Sequence, residues 1–244
     1  FASLSDDINS TVKTLKRYIA EAAARIDKEL EYAKQIQLSA LPTNFPKDEV
    51  YSIYAQMLAA KEVGGDFYDF YKLNDTTIAF LVADVSGKGI PAAMFMMRAK
   101  TILKDLAESG IPVNDIFTKA NEKLCENNES GMFVTAWMGI LDITTGKLLY
   151  VNAGHNPPVI FKDGKYEYLK SRSGFVLAGM EGYKYKLNEL QLNVGDKIFL
   201  YTDGVTEANN SNNELYGEER LNRFLNENYN LALSELLPSV KRSI

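Results

Sequence analysis

The chain has 244 residues, 46% of them hydrophobic, which is enough for a sizeable core in one large domain or in one domain with an extension. Its 27 basic residues against 32 acidic ones leave a net charge of −5, which argues against general attraction to nucleic acid. Cys125 is the single cysteine and allows no internal disulfide, as suits a reducing compartment, and no apolar run approaches the roughly 18 residues of a membrane span. The chain opens at Phe1 with no signal-peptide pattern and is expected to be a piece of something longer, an upstream membrane segment remaining open.

Residues 1–40 contain no Gly or Pro and are rich in Ala, Lys, Glu and Leu. Val12, Ile19, Ile26 and Ala33 repeat every seven residues, and Ile8, Leu15, Ala22 and Ile36 form a second row broken by Glu29. These alternating three- and four-residue steps predict a coiled-coil seam, and hence a self-associating helix. The alternative is an amphipathic helix packed on its own domain. Leu41-Pro42 and Phe45-Pro46 end the helix, because a residue before proline avoids helical angles. The remainder, 41–244, is expected to form the main domain.

Strand patterns follow. "YSIYAQMLAA" (51–60) alternates, "EVGGDFYDFYKL" (62–73) comes next, and "TTIAFLVADV" (76–85) is apolar enough to be buried on both faces. "GIPAAMFMMRAKTILKDLAESG" (89–110) predicts a helix opened by Pro91 and stopped by Gly110, with Met94, Met97 and Ile102 on its apolar side. A second helix is expected over 114–127. "MFVTAWMGILDI" and "LLYVNAG" predict a hairpin through Thr144-Thr145-Gly146-Lys147, and "PPVIFKDGKYEYLK" another around Asp163-Gly164. "YKLNELQLNVGDKIFLYTDG" supplies the last two strands, turning at Val194-Gly195-Asp196, and "YGEERLNRFL" and "ALSELLPSV" close the chain as helices. Strands in blocks with helices in blocks predict an α+β fold.

Three apolar strand ends carry an aspartate beside glycines: Asp66 in "GGDFYD", Asp84 in "ADVSGKG" and Asp203 in "YTDGVTE". An isolated charge there would be costly, so something must offset it. Taken singly, each aspartate is a turn or helix cap. Together they suggest an all-oxygen site for hard cations, Mg²⁺ or Mn²⁺. One histidine and one cysteine nearly exclude a zinc site. Two such ions about 4 Å apart would bridge a water, lower its pKa and clamp a phosphate. No Gly-x-Ser-x-Gly elbow offers a serine nucleophile, "SGKG" lacks Walker spacing, and the surroundings of "GGDF" do not match a nucleotide cyclase.

"EVGGDFYDF", "VADVSGKGIPAAMFM", "YVNAGHNPP" and "LYTDGVTEA", in this order, resemble the PPM-type metal-dependent serine/threonine phosphatases in their bacterial SpoIIE-like branch, over about residues 36–225. "LEYAKQIQLSALP" resembles the helix that links such domains to upstream sensors. The resemblance implies an antiparallel β-sandwich flanked by helices, in four αββα layers, with two Mn²⁺ or Mg²⁺ ions at one end. It implies Asp66, Asp84 and Asp203 as metal ligands, with the Val85 backbone carbonyl. It further implies a phosphoserine/phosphothreonine protein phosphatase using a metal-bound water, acting on a phosphorylated, STAS-type anti-sigma-factor antagonist. The family's closing Asp-Asp-x-Thr strand has no counterpart before Ile244. The expectation is a chain cut short; the alternative is a degenerate site, making the domain a catalytically inactive partner-binding module. A small-molecule phosphoesterase is a further rival.

Gly64 and Gly65 are expected to let the backbone turn tightly beside the cations, and Ser86 and Gly87 to bend the Asp84 loop. Asp69 is read either as an acceptor behind the ligands that fixes the loop or as an outward-facing strand residue. Lys88 and Lys61 are read as phosphate contacts or as solvated lysines, Glu207 as ordering the Asp203 loop, His155 as a structural turn residue, and Trp137 as core. The whole is expected to be a cytoplasmic signalling module, its first helix dimerising as the tail of a HAMP relay from a membrane-tethered sensor.

Overall fold

The computed structural model describes residues 2–46, 48–58 and 62–244; Lys61 therefore lies outside the described residues. The chain divides into two compact units, Phe1–Ala40 and Leu41–Ile244. The first is one helix, α1 (Ala2–Ser39). Its heptad residues Ile8, Val12, Leu15, Ile19, Ile26 and Ile36 are all exposed. Arg17 pairs with Glu21 at 3.6 Å and Arg25 with Glu29 at 3.7 Å, one turn apart and well solvated, so each adds little to helix stability. No helix among the described residues is long and apolar enough to cross a membrane.

The second unit holds β1 (Phe67–Lys72), β2 (Thr77–Val85), β3 (Val134–Asp142), β4 (Lys147–Ala153), β5 (Val159–Lys162), β6 (Lys165–Tyr168), β7 (Asn188–Gln191) and β8 (Lys197–Phe199). Its helices are α2 (Ile90–Glu108), α3 (Val113–Cys125), the single turn α4 (Asp203–Thr206), α5 (Gly217–Glu227) and α6 (Leu233–Ser243). Two antiparallel sheets form, ordered β1-β2-β3-β4-β7 and β6-β5-β8. The fold is thus α+β with two antiparallel sheets and a long N-terminal helix.

Strand alternation decides which side chains meet which layer. Ala79, Leu81, Ala83 and Val85 of β2 join Ala136 and Met138 of β3 in a core with Ala92, Met96, Ala99 and Leu103 of α2 and Ile116 and Phe117 of α3. The intervening residues face the other way. Phe80 and Trp137 pack with Leu148 and Tyr150 and with Ile198 and Leu200 beside β8, joining the two sheets. Trp137 is fully buried and stacks on Tyr150 with ring centroids 5.3 Å apart. On the far side of the small sheet, Val159, Tyr166 and Tyr201 pack on Leu221, Leu225, Leu236 and Val240 of α5 and α6.

Local chemistry explains the elements. Pro91 sits in the first turn of α2, and buried residues at 92, 96, 99, 103 and 107 make its inward stripe. Arg98 donates to the carbonyls of Lys123 (2.6 Å) and Glu126 (2.9 Å), closing the open end of α3. Asp163 and Gly164 both take positive φ, 52° and 82°, as the tight β5–β6 turn requires.

Three expectations are corrected. The described part of 51–60, residues 51–58, forms no extended strand, although its sequence alternates. Alternation marks a half-buried ribbon, but a strand also needs a paired backbone. Here Tyr54 packs on Phe45 at 5.0 Å, and Phe45 on Phe70 of β1 at 5.5 Å. The turn at 194–196 does not fold β7 and β8 together: β7 pairs with β4, whereas β8 pairs with β5, so the turn carries the chain between sheets. Met94 is 70% exposed, and Met96, two residues on, fills the core instead.

Candidate metal centre

Asp66 directly precedes β1, and Asp84 is the penultimate residue of β2. The antiparallel register pairs Phe67 with Ala83, so one further step sets Asp66 beside Asp84. Their carboxyl groups lie close enough for each to shift the titration of the other. Burial is the main cause that pushes Asp84 up to about 8, with the hydrogen bond to Asp66 and the charges of Asp66 and Asp203 adding to it. Burial also raises Asp66, against the hydrogen bonds from Asp84 and Thr202.

Asp203 reaches this pair through its charge. It opens the α4 turn, and its side chain is exposed. Among the described residues no three acidic, histidine or cysteine side chains gather closely enough to hold one ion together. The structure therefore brings Asp66 and Asp84 into contact and leaves Asp203 as a neighbour. Thr202, which the sequence did not single out, donates its hydroxyl to Asp66 Oδ2 at 2.9 Å. Its only sequence signal is its place beside Asp203.

The glycines shape the oxygen-rich wall. A Cβ on Gly65 would lie 2.5 Å from the Val85 carbonyl oxygen and 3.2 Å from Asp84 Oδ1. Any side chain there would displace that carbonyl, which accounts for the glycine. Gly64, immediately before it, is half-buried. Gly87 and Gly89 take φ of 89° and 77°, bending the loop between Asp84 and α2. Ser86 anchors that bend: its N–H donates to the Phe133 carbonyl and its hydroxyl accepts from the Phe133 N–H, both at 2.9 Å. Lys88 is exposed between the two glycines. Glu207 is exposed, and only its backbone N–H engages the loop, donating to the Asp203 carbonyl at 2.7 Å.

Asp69 is not outward-facing. It is 5% exposed, and its Oδ2 lies 2.5 Å from Nζ of Lys100 on α2. Lys100 was missed in the sequence, although its position falls on the buried stripe of α2. His155 is buried, with Nδ1 2.9 Å from the Thr135 hydroxyl and its backbone N–H donating to Asn152 Oδ1 at 2.8 Å. Burial holds its pKa down at about 4, so the ring is neutral at pH 7. Burial likewise raises the Cys125 thiol, which leaves little reactive thiolate.

The donor set consists of carboxylate and carbonyl oxygens, which fits a hard divalent cation and not zinc. Two carboxylates crowded out of water retain a proton that such a cation would replace.

Comparison with known proteins gives a consistent pattern. The family profile described as Stage II sporulation protein E (SpoIIE) matches residues 74–244. The chain is 30% identical over 243 residues to Protein IcfG of Synechocystis sp. (88% of this chain, 38% of IcfG). It is 32% identical over 221 residues to the phosphoserine phosphatase RsbU of Bacillus subtilis (90% of this chain, 65% of RsbU). The chain thus spans less than two thirds of either relative. Among solved structures, the SiaA-PP2C domain of Pseudomonas aeruginosa superposes with a TM-score of 0.73 at 20% identity, covering 91% of this chain and 90% of that one. RsbX in complex with magnesium superposes with a TM-score of 0.57 at 21% identity, covering 75% and 81%. At these identities the two structures show the shared fold.

Proposed function

The chain belongs to the SpoIIE family, and from that premise we propose that residues 41–244 are a metal-dependent phosphoserine/phosphothreonine protein phosphatase. The observation that carries the reading is the contact between Asp66 and Asp84, with the Val85 carbonyl alongside and Asp203 within reach. Asp66, Asp84 and the Val85 carbonyl would hold two Mn²⁺ or Mg²⁺ ions, with Asp203 on the second side. When bound, such ions lower the pKa of water towards neutrality and stabilise charge on a phosphoryl group. Thr202 keeps one Asp66 oxygen oriented. Gly65 leaves the Val85 carbonyl free of any side chain. Lys88, on its exposed bend, supplies a cation for the substrate phosphate. His155 is buried, neutral and engaged with Thr135, so it is not assigned the proton transfer.

RsbU is by name a phosphoserine phosphatase, which supports the same reaction here. The substrate we propose is the phosphoserine of a STAS-type anti-sigma-factor antagonist, in a bacterial sigma-factor pathway. The exposed seam of α1 supports a parallel coiled coil with a second copy, carrying a signal from an upstream sensor, with a HAMP relay and a membrane tether beyond it. A net charge of −5 does not favour a nucleic-acid partner. A cytoplasmic setting for the catalytic unit is part of the same proposal.

A second reading, a partner-binding module without activity, is favoured by the finding that only two of the three carboxylates meet. Phosphate release from a serine-phosphorylated STAS domain and from free nucleotides, with Mn²⁺ or with chelator, separates the readings. The phosphatase reading expects Mn²⁺-dependent release from the protein alone. Binding of that domain without release supports the module, and release from nucleotides alone supports the small-molecule enzyme.

A further inference from the structure

We propose that the buried Asp69–Lys100 ion pair is a positioning element that holds the two carboxylate-bearing segments in register without touching the centre itself. What that register serves rests on the function proposed above; the positioning does not.

The argument begins with connectivity. Asp66 runs directly into β1, and Asp84 runs through the 86–89 bend into α2. Asp69 lies on β1 and Lys100 on α2, so the pair joins the two elements that continue from the two carboxylates. Asp69 Oδ2 and Lys100 Nζ are 2.5 Å apart, and the side chains are 5% and 11% exposed. Asp69 Oδ1 accepts the Phe70 N–H at 3.0 Å, which fixes the carboxylate plane. Every other ion pair among the described residues has both side chains at least 45% exposed.

The surroundings explain why a directional contact is needed. The neighbours of Lys100 on the stripe, Met96, Ala99 and Leu103, are apolar and could slide along the sheet. A charge pair with one acceptor geometry cannot. Buried ion pairs are often no more stabilising than apolar residues of similar volume, so stability alone does not account for this one. Tyr71, two residues along β1, has a buried hydroxyl with no hydrogen-bond partner among the described residues, so it does not share the role.

The test is the double variant Asp69→Leu/Lys100→Met in the full chain, with amide hydrogen exchange measured without metal. The expected result is a melting temperature within a few degrees of the parent, but exchange at least ~10-fold faster at residues 65–66 and 84–88. Mn²⁺ affinity, read by calorimetry, should fall by a similar factor. Should the Leu/Met pair not fold, Asp69→Asn/Lys100→Gln keeps a neutral hydrogen bond and is expected to show the same local loosening. Unchanged exchange at 65–66 and 84–88 in a folded double variant overturns the proposal. A parent that releases no phosphate would count against the phosphatase reading alone, because the exchange measurement needs no substrate.

Discussion

Asp66 and Asp84 lie across an antiparallel ladder from one another, Phe67 pairing with Ala83, and their carboxyl groups meet there closely enough to perturb each other. Two like groups brought together out of water destabilise the unit that holds them, unless a cation is bound. Sites of this kind trade stability for function. Asp84→Asn is therefore expected to stabilise the metal-free protein by roughly 1 kcal/mol at pH 8, a figure already reduced for its partial exposure. The same change should lower phosphatase activity by about 10³-fold or more, if the ions supply several kcal/mol. Thermal unfolding in chelator and phosphate release in Mn²⁺ read the two effects. A variant that is less stable without metal would show that the pair is held together by something other than a cation.

Gly65 provides a steric test of the same wall. Its missing Cβ leaves room for the Val85 carbonyl, which a methyl group would approach to 2.5 Å. That contact is with backbone, so the strand end itself must move. Gly65→Ala should leave the fold intact, since the core on the helix side of the sheet is untouched. Activity should fall about 100-fold, the scale set by a misplacement of about 1 Å. Gly204→Ala makes a matched control, because its Cβ would meet Asp66 Oδ2 at an ordinary 3.7 Å. Equal losses in the two variants would mean that the close approach at Gly65 has no special role.

Much of this site was legible in the sequence, for a physical reason. Aspartates and glycines at the ends of apolar strands are costly unless they do something, so Asp66, Asp84 and Gly65 stood out. Asp69 stood out as well, with its acceptor and outward-facing readings both open, but its partner Lys100 did not, because the pairing spans 31 positions and joins a strand to a helix. The clue was the place of Lys100 on the buried stripe after Met96, where a charge requires a partner. The sequence pattern puts Met94 on the apolar side of α2 because composition alone does not fix helix phase; the register of α2 favours Met96. The 51–58 segment shows the same limit for strands: an alternating pattern reports burial but not the backbone partner that would make it a strand.

His155 makes one contribution of definite sign to the pH dependence of stability. Its pKa falls from 6.5 to about 4 on folding because burial disfavours the charged ring. Between these values the unfolded chain binds the proton and the folded chain does not. The contribution to stability is therefore complete above pH 6.5 and is lost as pH falls towards 4, up to about 3 kcal/mol. Denaturant unfolding from pH 7.5 to 4.5 should show the parent losing stability relative to His155→Gln, a comparison that cancels the opposite contribution of Asp84, whose raised pKa favours the folded chain as pH falls. Activity of the variant at pH 7.5 should stay within about tenfold of the parent, as a structural role requires. Loss of activity with an unchanged pH profile of stability would instead assign His155 to the chemistry.

The α1 seam makes the last prediction. Val12, Ile19 and Ile26 on one row and Ile8, Leu15 and Ile36 on the other are 44% to 64% exposed in the single chain. A stripe this narrow and regular matches the a and d positions of a two-stranded coil, with Glu29 as the one polar intruder. Burying an isoleucine contributes about 1.5–3 kcal/mol. Ile19→Ser/Ile26→Ser removes two such groups from each of two helices, so the dimer should weaken by at least ~10³-fold. Sedimentation velocity at micromolar concentration should show a dimeric parent and a monomeric variant. Single cysteines at Ile8, Leu15 and Ala22, in a Cys125→Ser background, should crosslink like to like if the helices run parallel. A parent that sediments as a monomer, or a variant that still pairs, would leave the seam without this partner.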